Sequence, residues 1–148
     1  HYLCSLTSMS HVDDIMQNTW LSLINSKSEY QPTASAKTYL FGIARKRLID
    51  WQRKQSFFTS MPNDENDLLN VESNEPSFDE SIYQDQIKTQ FDQALMTLSH
   101  DKREAFILQQ EGFSILEISE ITKSQVDTIK SRIKSAKAML TTKLRSEV

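Results

Sequence analysis

The sequence predicts an all-helical protein, and three observations carry that prediction. The chain has 148 residues but two glycines, Gly42 and Gly112, and three prolines, Pro32, Pro62 and Pro76. Average usage would supply about ten glycines at this length. Apolar residues recur at three- and four-residue steps through most of the chain, the period of a helix buried along one face. Two Ser-x-x-Glu pairs, Ser77/Glu80 and Ser114/Glu117, stand where such stripes begin, the signature of a helix capping box. Turn-rich β architectures are thereby excluded. So are Gly-rich phosphate loops, because two glycines seventy positions apart build neither GxGxxG nor GxxxxGK.

The first helix is marked by Val12, Ile15, Met16, Thr19, Trp20, Leu23 and Ile24 on an expected inner face. Asp13, Asp14, Gln17 and Asn18 lie opposite, and Ser10 is the expected N-cap. Asn25 to Ala36 reads as a loop. A second helix is expected from about Ser35 to Gln55, with Leu40, Ile43, Ala44, Leu48 and Trp51 inside. Its outer face carries Lys37, Arg45, Lys46, Arg47, Arg53 and Lys54. Residues 57–76 have the composition of an acidic linker, although Phe57, Phe58, Met61, Leu68, Leu69 and Val71 are more apolar than a solvated tether requires. A third helix follows Ser77, with Phe78, Ile82, Ile87, Phe91, Leu95 and Leu98 on one face. Lys102 to Gln110 forms a short fourth helix, closed by Gly112 as a C-cap. The fifth opens at Ser114 and buries Ile115, Ile118 and Ile121. After a turn from Thr122 to Gln125 comes the last, with Val126, Ile129, Ile133, Ala136, Leu140 and Leu144 inside. The expected division is therefore a first domain over 1–56, the linker over 57–76 and a second domain over 77–148.

Charge sharpens the division. The net charge of −3 is the sum of +3 on residues 1–56, −5 on 57–76 and −1 on 77–148. Between Lys123 and Arg145 seven bases face one acid, Asp127. Two short helices joined by a tight turn, the second long and basic, outline a helix-turn-helix. The expected solvent face of the last helix offers Gln125, Thr128, Lys130, Ser131 and Lys134, residue types that neutralise phosphates and reach base edges. The second helix interleaves Tyr39, Phe41 and Trp51 with Lys37, Arg45, Lys46, Arg47, Arg53 and Lys54. Single-stranded nucleic acid is held by that pairing of cations with rings, although a core role accounts for the rings position by position.

The single cysteine, Cys4, forms no internal disulfide, and no CxxC or HExxH is present. His1, His11 and His100 are scattered. No Ser-His-Asp set, paired-carboxylate cleft or metal cluster is readable, so neither a catalytic centre nor a cofactor is expected. No apolar stretch approaches the roughly 18 residues of a membrane span, and no signal peptide opens the chain. A reducing cytoplasm is the expected compartment.

Two stretches carry a family resemblance. Asp13-Asp14-Ile15-Met16-Gln17-Asn18-Thr19-Trp20 and Tyr39-Leu40-Phe41-Gly42-Ile43-Ala44-Arg45-Lys46-Arg47-Leu48-Ile49-Asp50-Trp51 resemble the second conserved region of bacterial RNA polymerase sigma factors. Arg103 to Phe106, Glu111 to Ser114, Glu117 to Ile121 and Val126 to Arg132 resemble the fourth. The presence of these two regions only is the layout of the compact extracytoplasmic-function group. The resemblance implies two small helical domains joined by a flexible linker, and a dissociable initiation subunit that leaves polymerisation to its partner. It implies that Asp13, Asp14, Gln17 and Trp20 bind the β′ clamp helices of core RNA polymerase, with the β flap as a further contact. Lys37, Tyr39, Arg45, Lys46, Arg47, Arg53 and Lys54 would open the minus-ten promoter element and hold its displaced strand. Gln125, Thr128, Lys130, Ser131, Arg132 and Lys134 would read the minus-thirty-five element. An anti-sigma factor is a further implied partner. The chain departs from the family pattern at Lys46, where asparagine is usual, and at Lys123 and Ser124, where the turn usually holds glycine and an aliphatic residue. It departs again at Asp127, where glycine is common. The early helix before Asp13 is shortened, which implies truncation at His1. The alternative reading is a stand-alone helix-turn-helix regulator, which accounts for residues 100–148 and leaves the first two helices unused.

Overall fold

The computed structural model describes residues 1–26, 35–59 and 80–146. The described residues form six helices and no strand: α1 (Met9–Asn25), α2 (Ala36–Thr59), α3 (Glu80–Met96), α4 (His100–Gln110), α5 (Ile115–Thr122) and α6 (Val126–Ser146). The all-α prediction holds. The 25–36 loop, the Ser77/Glu80 capping box and nearly all of the acidic stretch lie outside the described residues.

α1 begins at Met9, and its N-cap is Ser8, in an extended conformation, two residues before the expected Ser10. Its buried side is narrower than its apolar pattern: Val12, Ile15 and Thr19 face inward. Met16, Trp20 and Ile24 are 44%, 49% and 68% exposed, against the expected burial. The reason is that, among the described residues, α2 and the N-terminal segment pack on the same side of α1, and the rest of its surface is left uncovered. Thr19 is tolerated inside because its hydroxyl donates to the Ile15 carbonyl at 2.7 Å.

Ser35 starts α2, accepting the Thr38 N–H on its hydroxyl at 3.1 Å. The helix runs on through Thr59, past the expected end at Gln55, and leaves Phe57 and Phe58 exposed at its last turn. Ala44 and Leu48 are buried, as the stripe predicts, while Leu40, Ile43 and Trp51 are half-buried.

α4, α5 and α6 pack on one another, and α3 packs on α6. Their shared core contains Leu95, Leu98, Leu108, Ile118, Ile121, Ile129, Ile133, Ala136 and Leu140. Each such side chain, fully buried, contributes about 1.5–3 kcal/mol relative to exposure. The fourth helix starts at His100, two residues ahead of expectation, because Ser99 takes the N-cap position in extended backbone. Gly112 lies at φ +92°, the left-handed conformation that ends helices and that glycine adopts without strain. On the expected α3 stripe Leu95 and Leu98 are buried but Ile87 is half exposed.

The two halves share one core. Tyr2, Leu3 and Leu6, from a turn-rich segment ahead of α1, belong to the same apolar cluster as Leu48, Phe106 and Phe113. α2 also packs on α5.

Candidate nucleic-acid interface

The helix-turn-helix is built by short-range hydrogen bonds. At its entry the Ser114 hydroxyl accepts the Glu117 N–H at 3.2 Å, and the Glu117 carboxylate accepts the Ser114 N–H at 2.8 Å, so the second expected capping box is present. The Ser114 N–H, and after it the Ser114 hydroxyl, hold the Glu117 carboxyl below its ordinary value of 4.5. At its exit Lys123 takes a left-handed conformation, φ 54° and ψ 36°, and its N–H returns to the Ser119 carbonyl. Ser124 N–H reaches that carbonyl at 3.2 Å, and the Ser119 hydroxyl donates to the Ser124 carbonyl. α5 thus gives way to α6 within three residues.

α6 buries Ile129, Ile133, Ala136 and Leu140, keeps Val126 and Leu144 half-buried beside them, and turns its opposite side outward. Gln125, Thr128, Lys130, Ser131 and Lys134 are exposed, as expected of a reading face. Asp127 lies 3.8 Å from Lys130 with both side chains solvated, so the pair is weak and leaves Lys130 available to an anion. Arg132 is placed differently. It is half-buried, donating to Asp101 at 2.7 Å and to the Ser124 hydroxyl at 3.1 Å, which ties α6 to the start of α4 and to the turn. It is an orienting contact in this structure and is set apart from the exposed row.

The expected strand-opening residues fall into three groups. Lys46, Arg53 and Lys54 are exposed on α2. Tyr39 and Arg47 reach back to the end of α1, the Tyr39 hydroxyl to Ser26 at 3.0 Å and Arg47 Nε to Ser22 at 2.7 Å. Lys37 and Arg45 point to the other half of the molecule. Lys37 donates to the Glu111 carbonyl, with its ammonium 4.6 Å from the centre of the Phe113 ring. Arg45 Nε donates to Glu104 at 2.8 Å. The rings are likewise spent on packing: Phe41 meets Phe113 edge-on at 4.8 Å, and Trp51 lies against His11 at 4.3 Å.

On α1, Asp13, Asp14, Gln17 and Trp20 are all exposed, and Met16, Leu21 and Ile24 are exposed with them. The face is therefore both acidic and apolar. Beside it, Met16, Trp20, Tyr2 and Phe41 line a cavity of about 190 Å³ between the N-terminal segment, α1 and α2.

Comparison with known proteins places these elements. The model for sigma-70 region 2 matches residues 1–58, and that for sigma-70 region 4 matches residues 88–140. The two matches are regions of one family, in order along the chain, and together take in most of it. The chain belongs to the sigma-70 family. It is 28% identical over 129 residues to the ECF RNA polymerase sigma factor SigX of Bacillus subtilis (strain 168), an alignment that covers 83% of this chain and 66% of the relative. The fold matches the sigma factor RpoE from Bartonella quintana, solved in complex with the anti-sigma factor NepR. That match has a TM-score of 0.78 and 26% identity, and covers 97% of this chain and 88% of that one. CnrH, solved with the cytosolic domain of CnrY, shares the fold at a TM-score of 0.66 and 19% identity, over 97% and 77% of the two chains. Having sigma-70 regions 2 and 4 alone among its family matches is the layout of the extracytoplasmic-function group. α1 and nearly all of α2 thus fall in the sigma-70 region 2 match, and α4, α5 and α6 as far as Leu140 fall in the region 4 match.

Sequence reasoning missed one central residue of this sigma factor. Glu104 lies on α4 in region 4 and is 1% exposed. It receives the Tyr2 hydroxyl at 2.7 Å and Arg45 Nε at 2.8 Å. Burial, and then the adjacent carboxylate, push the Tyr2 phenol far above its usual range, so it stays a donor. The only sequence signal was a charged residue inside an apolar run, Glu104 before Ala105, Phe106, Ile107 and Leu108. His100, Asp101 and Glu104 bring ligand atoms within 4.8 Å of one another, but Glu104 is engaged by Arg45 and Asp101 by Arg132.

Proposed function

We propose that this sigma-70 family chain is a transcription initiation factor that binds core RNA polymerase and gives it promoter specificity. In this reading Asp13, Asp14, Gln17 and Trp20 on α1 engage the clamp helices of the β′ subunit. Lys37, Tyr39, Arg45, Lys46, Arg47, Arg53 and Lys54 on α2 open and hold the minus-ten element. Gln125, Thr128, Lys130, Ser131 and Lys134 on α6 read the minus-thirty-five element in the major groove, and region 4 also meets the β flap. Arg132 positions the reading helix through Asp101 and Ser124.

One observation carries the proposal. Two differently built basic helices, one interleaved with aromatics and one following a three-residue helix-turn-helix turn, occur in the order of sigma-70 regions 2 and 4. Melting requires unstacking, at a few kcal/mol per step, and cationic and stacking contacts to the displaced strand offset it. Polymerisation belongs to the core enzyme, so the chain itself needs neither a catalytic centre nor a cofactor. The exposed acidic and apolar face of α1 supports a protein partner, and a stand-alone regulator would leave it without use.

A solved relative in complex with an anti-sigma factor supports a partner of that kind here. No helix among the described residues is long and apolar enough to cross a membrane, in keeping with action in the cytoplasm beside the polymerase. The test is promoter binding by the purified chain with and without core RNA polymerase. Sequence-specific binding to promoter duplex that requires core enzyme is the expected result. Tight, specific duplex binding by the free chain would establish the stand-alone regulator instead.

A further inference from the structure

One side chain of α6 has no part in the contacts proposed above. The helix carries six bases and a single acid, Asp127. Asp127 is its second residue, directly after the turn, and the side chain is 95% exposed. Asp127, Ser131 and Lys134 are spaced four and three residues apart, so they stand in line along one face. All three are exposed, opposite the stripe of Ile129, Ile133 and Ala136. The recognition helix of a helix-turn-helix contacts base edges with its N-terminal residues. Asp127 therefore leads the outward row at the end of the helix that enters a groove.

A carboxylate so placed is repelled by the phosphates of any duplex, and its attraction to the helix N-terminus is small at an exposed site. Lys130 lessens the repulsion. Its ammonium lies 3.8 Å from the Asp127 carboxylate, beyond hydrogen-bond length, so it brings a compensating charge without taking up the oxygens. Those oxygens accept hydrogen bonds and donate none. In the major groove guanine presents two acceptors, thymine an acceptor and a methyl group, and adenine a donor beside an acceptor. Cytosine presents an amino donor by itself. A lone carboxylate therefore matches cytosine and meets an acceptor on each of the other three bases.

Resting on the reading of α6 as the helix that meets the minus-thirty-five element, we propose that Asp127 determines base choice within it. The Asp127 carboxylate accepts from the N4 amino group of one cytosine, while Lys130 goes to a neighbouring phosphate and offsets the charge of the acid. The lysines of the row add affinity for any duplex, and the acid makes one base pair selective.

The test is selection by the chain with core RNA polymerase from promoter duplexes whose minus-thirty-five element is randomised, read by sequencing the bound fraction. The parent is expected to favour cytosine at one position by about tenfold over the other bases. Asp127→Asn keeps the shape and sets a donor beside the acceptor, so the preference at that position should move to adenine, whose N6 and N7 it matches. Asp127→Gly should flatten the same position to within about twofold and leave the others as they are. Both variants should bind duplexes lacking the cytosine at least as well as the parent, because a repulsive charge is gone. If Asp127→Gly loses helicity by circular dichroism, Asp127→Asn decides the question. Base profiles of the folded variants that coincide with the parent's would overturn the assignment. So would an equal loss of affinity for every sequence, which marks a role confined to the start of the helix. Either result leaves the initiation reading intact. If the free chain alone selects sequence, that reading falls, and the same three profiles taken on the free chain decide the role of Asp127. Absence of selection with and without core enzyme would overturn both.

Discussion

Replacing Lys123 by glycine should stabilise the protein, although it removes a side chain from the DNA-binding half. Lys123 is the non-glycine residue with positive φ among the described residues, at φ 54° and ψ 36°. In that conformation a β-carbon crowds the following carbonyl at roughly 1–2 kcal/mol. Glycine removes the crowding but adds freedom to the unfolded chain, which returns about 0.4–1 kcal/mol. The net expectation is a gain of about 0.5–1 kcal/mol. The hydrogen bonds that hold the turn use the backbone of residue 123 and the Ser119 and Ser124 groups, so they survive the change.

The assay is thermal unfolding followed by circular dichroism. An unfolding entropy of about 2.1 cal/mol/K per residue gives roughly 0.3 kcal/mol/K if the whole chain unfolds as one unit. Tm then rises by about 2–3 °C. If residues 80–146 unfold alone, the entropy is halved and the rise is about 4–7 °C. The size of the shift therefore also reports whether the shared core couples the two regions. Promoter reading with core enzyme should be retained, since the turn keeps its geometry. A melting temperature unchanged or lowered would refute the assignment of backbone strain to Lys123.

Three further outcomes are expected. Lys130→Ala should reduce promoter-specific transcription and lower the salt dependence of duplex binding by the holoenzyme by about one phosphate contact, with core binding retained; loss of core binding in a pull-down would refute its placement on the reading face. Asp14→Ala combined with Gln17→Ala should weaken association with core polymerase without changing helicity, because both side chains lie on the exposed face of α1, and unchanged affinity would rule that face out. The capping box should show acid sensitivity: the folded Glu117 carboxyl titrates below its ordinary value, so its stabilisation is complete above about pH 4.5 and is lost as pH falls through the depressed folded value. Acid unfolding of Glu117→Gln should lack that component, and an acid limb superimposable on the parent's would contradict the cap's role.

Local rules were sufficient for much of this chain. The Ser114/Glu117 box, the Gly112 C-cap and the Ile129, Ile133, Ala136, Leu140 stripe are legible because each depends on residues within a turn or two of one another. The exposed row on α6 follows directly, since a helix that buries one stripe must show the other side. The α1 stripe misled for a related reason. Apolar spacing reports which residues could be buried, not how many neighbours arrive to bury them. Among the described residues α2 and the N-terminal segment cover one side of α1, so Met16, Trp20 and Ile24 stay exposed. Arg132 misled by its charge, because Asp101 and Ser124 approach it from another helix and from the turn.

The sequence by itself determined the helical class, the two basic helices and their order, because those depend on composition, periodicity and short-range capping. Its family resemblance rests on the same local strings. Only the tertiary structure decided which of the cations are available. The Tyr2–Glu104 bond joins residues 102 positions apart, and the Arg45–Glu104 bond joins residues 59 apart. No local rule links them. A carboxylate is buried when a specific partner is brought to it from a distance, and that is a property of the folded chain.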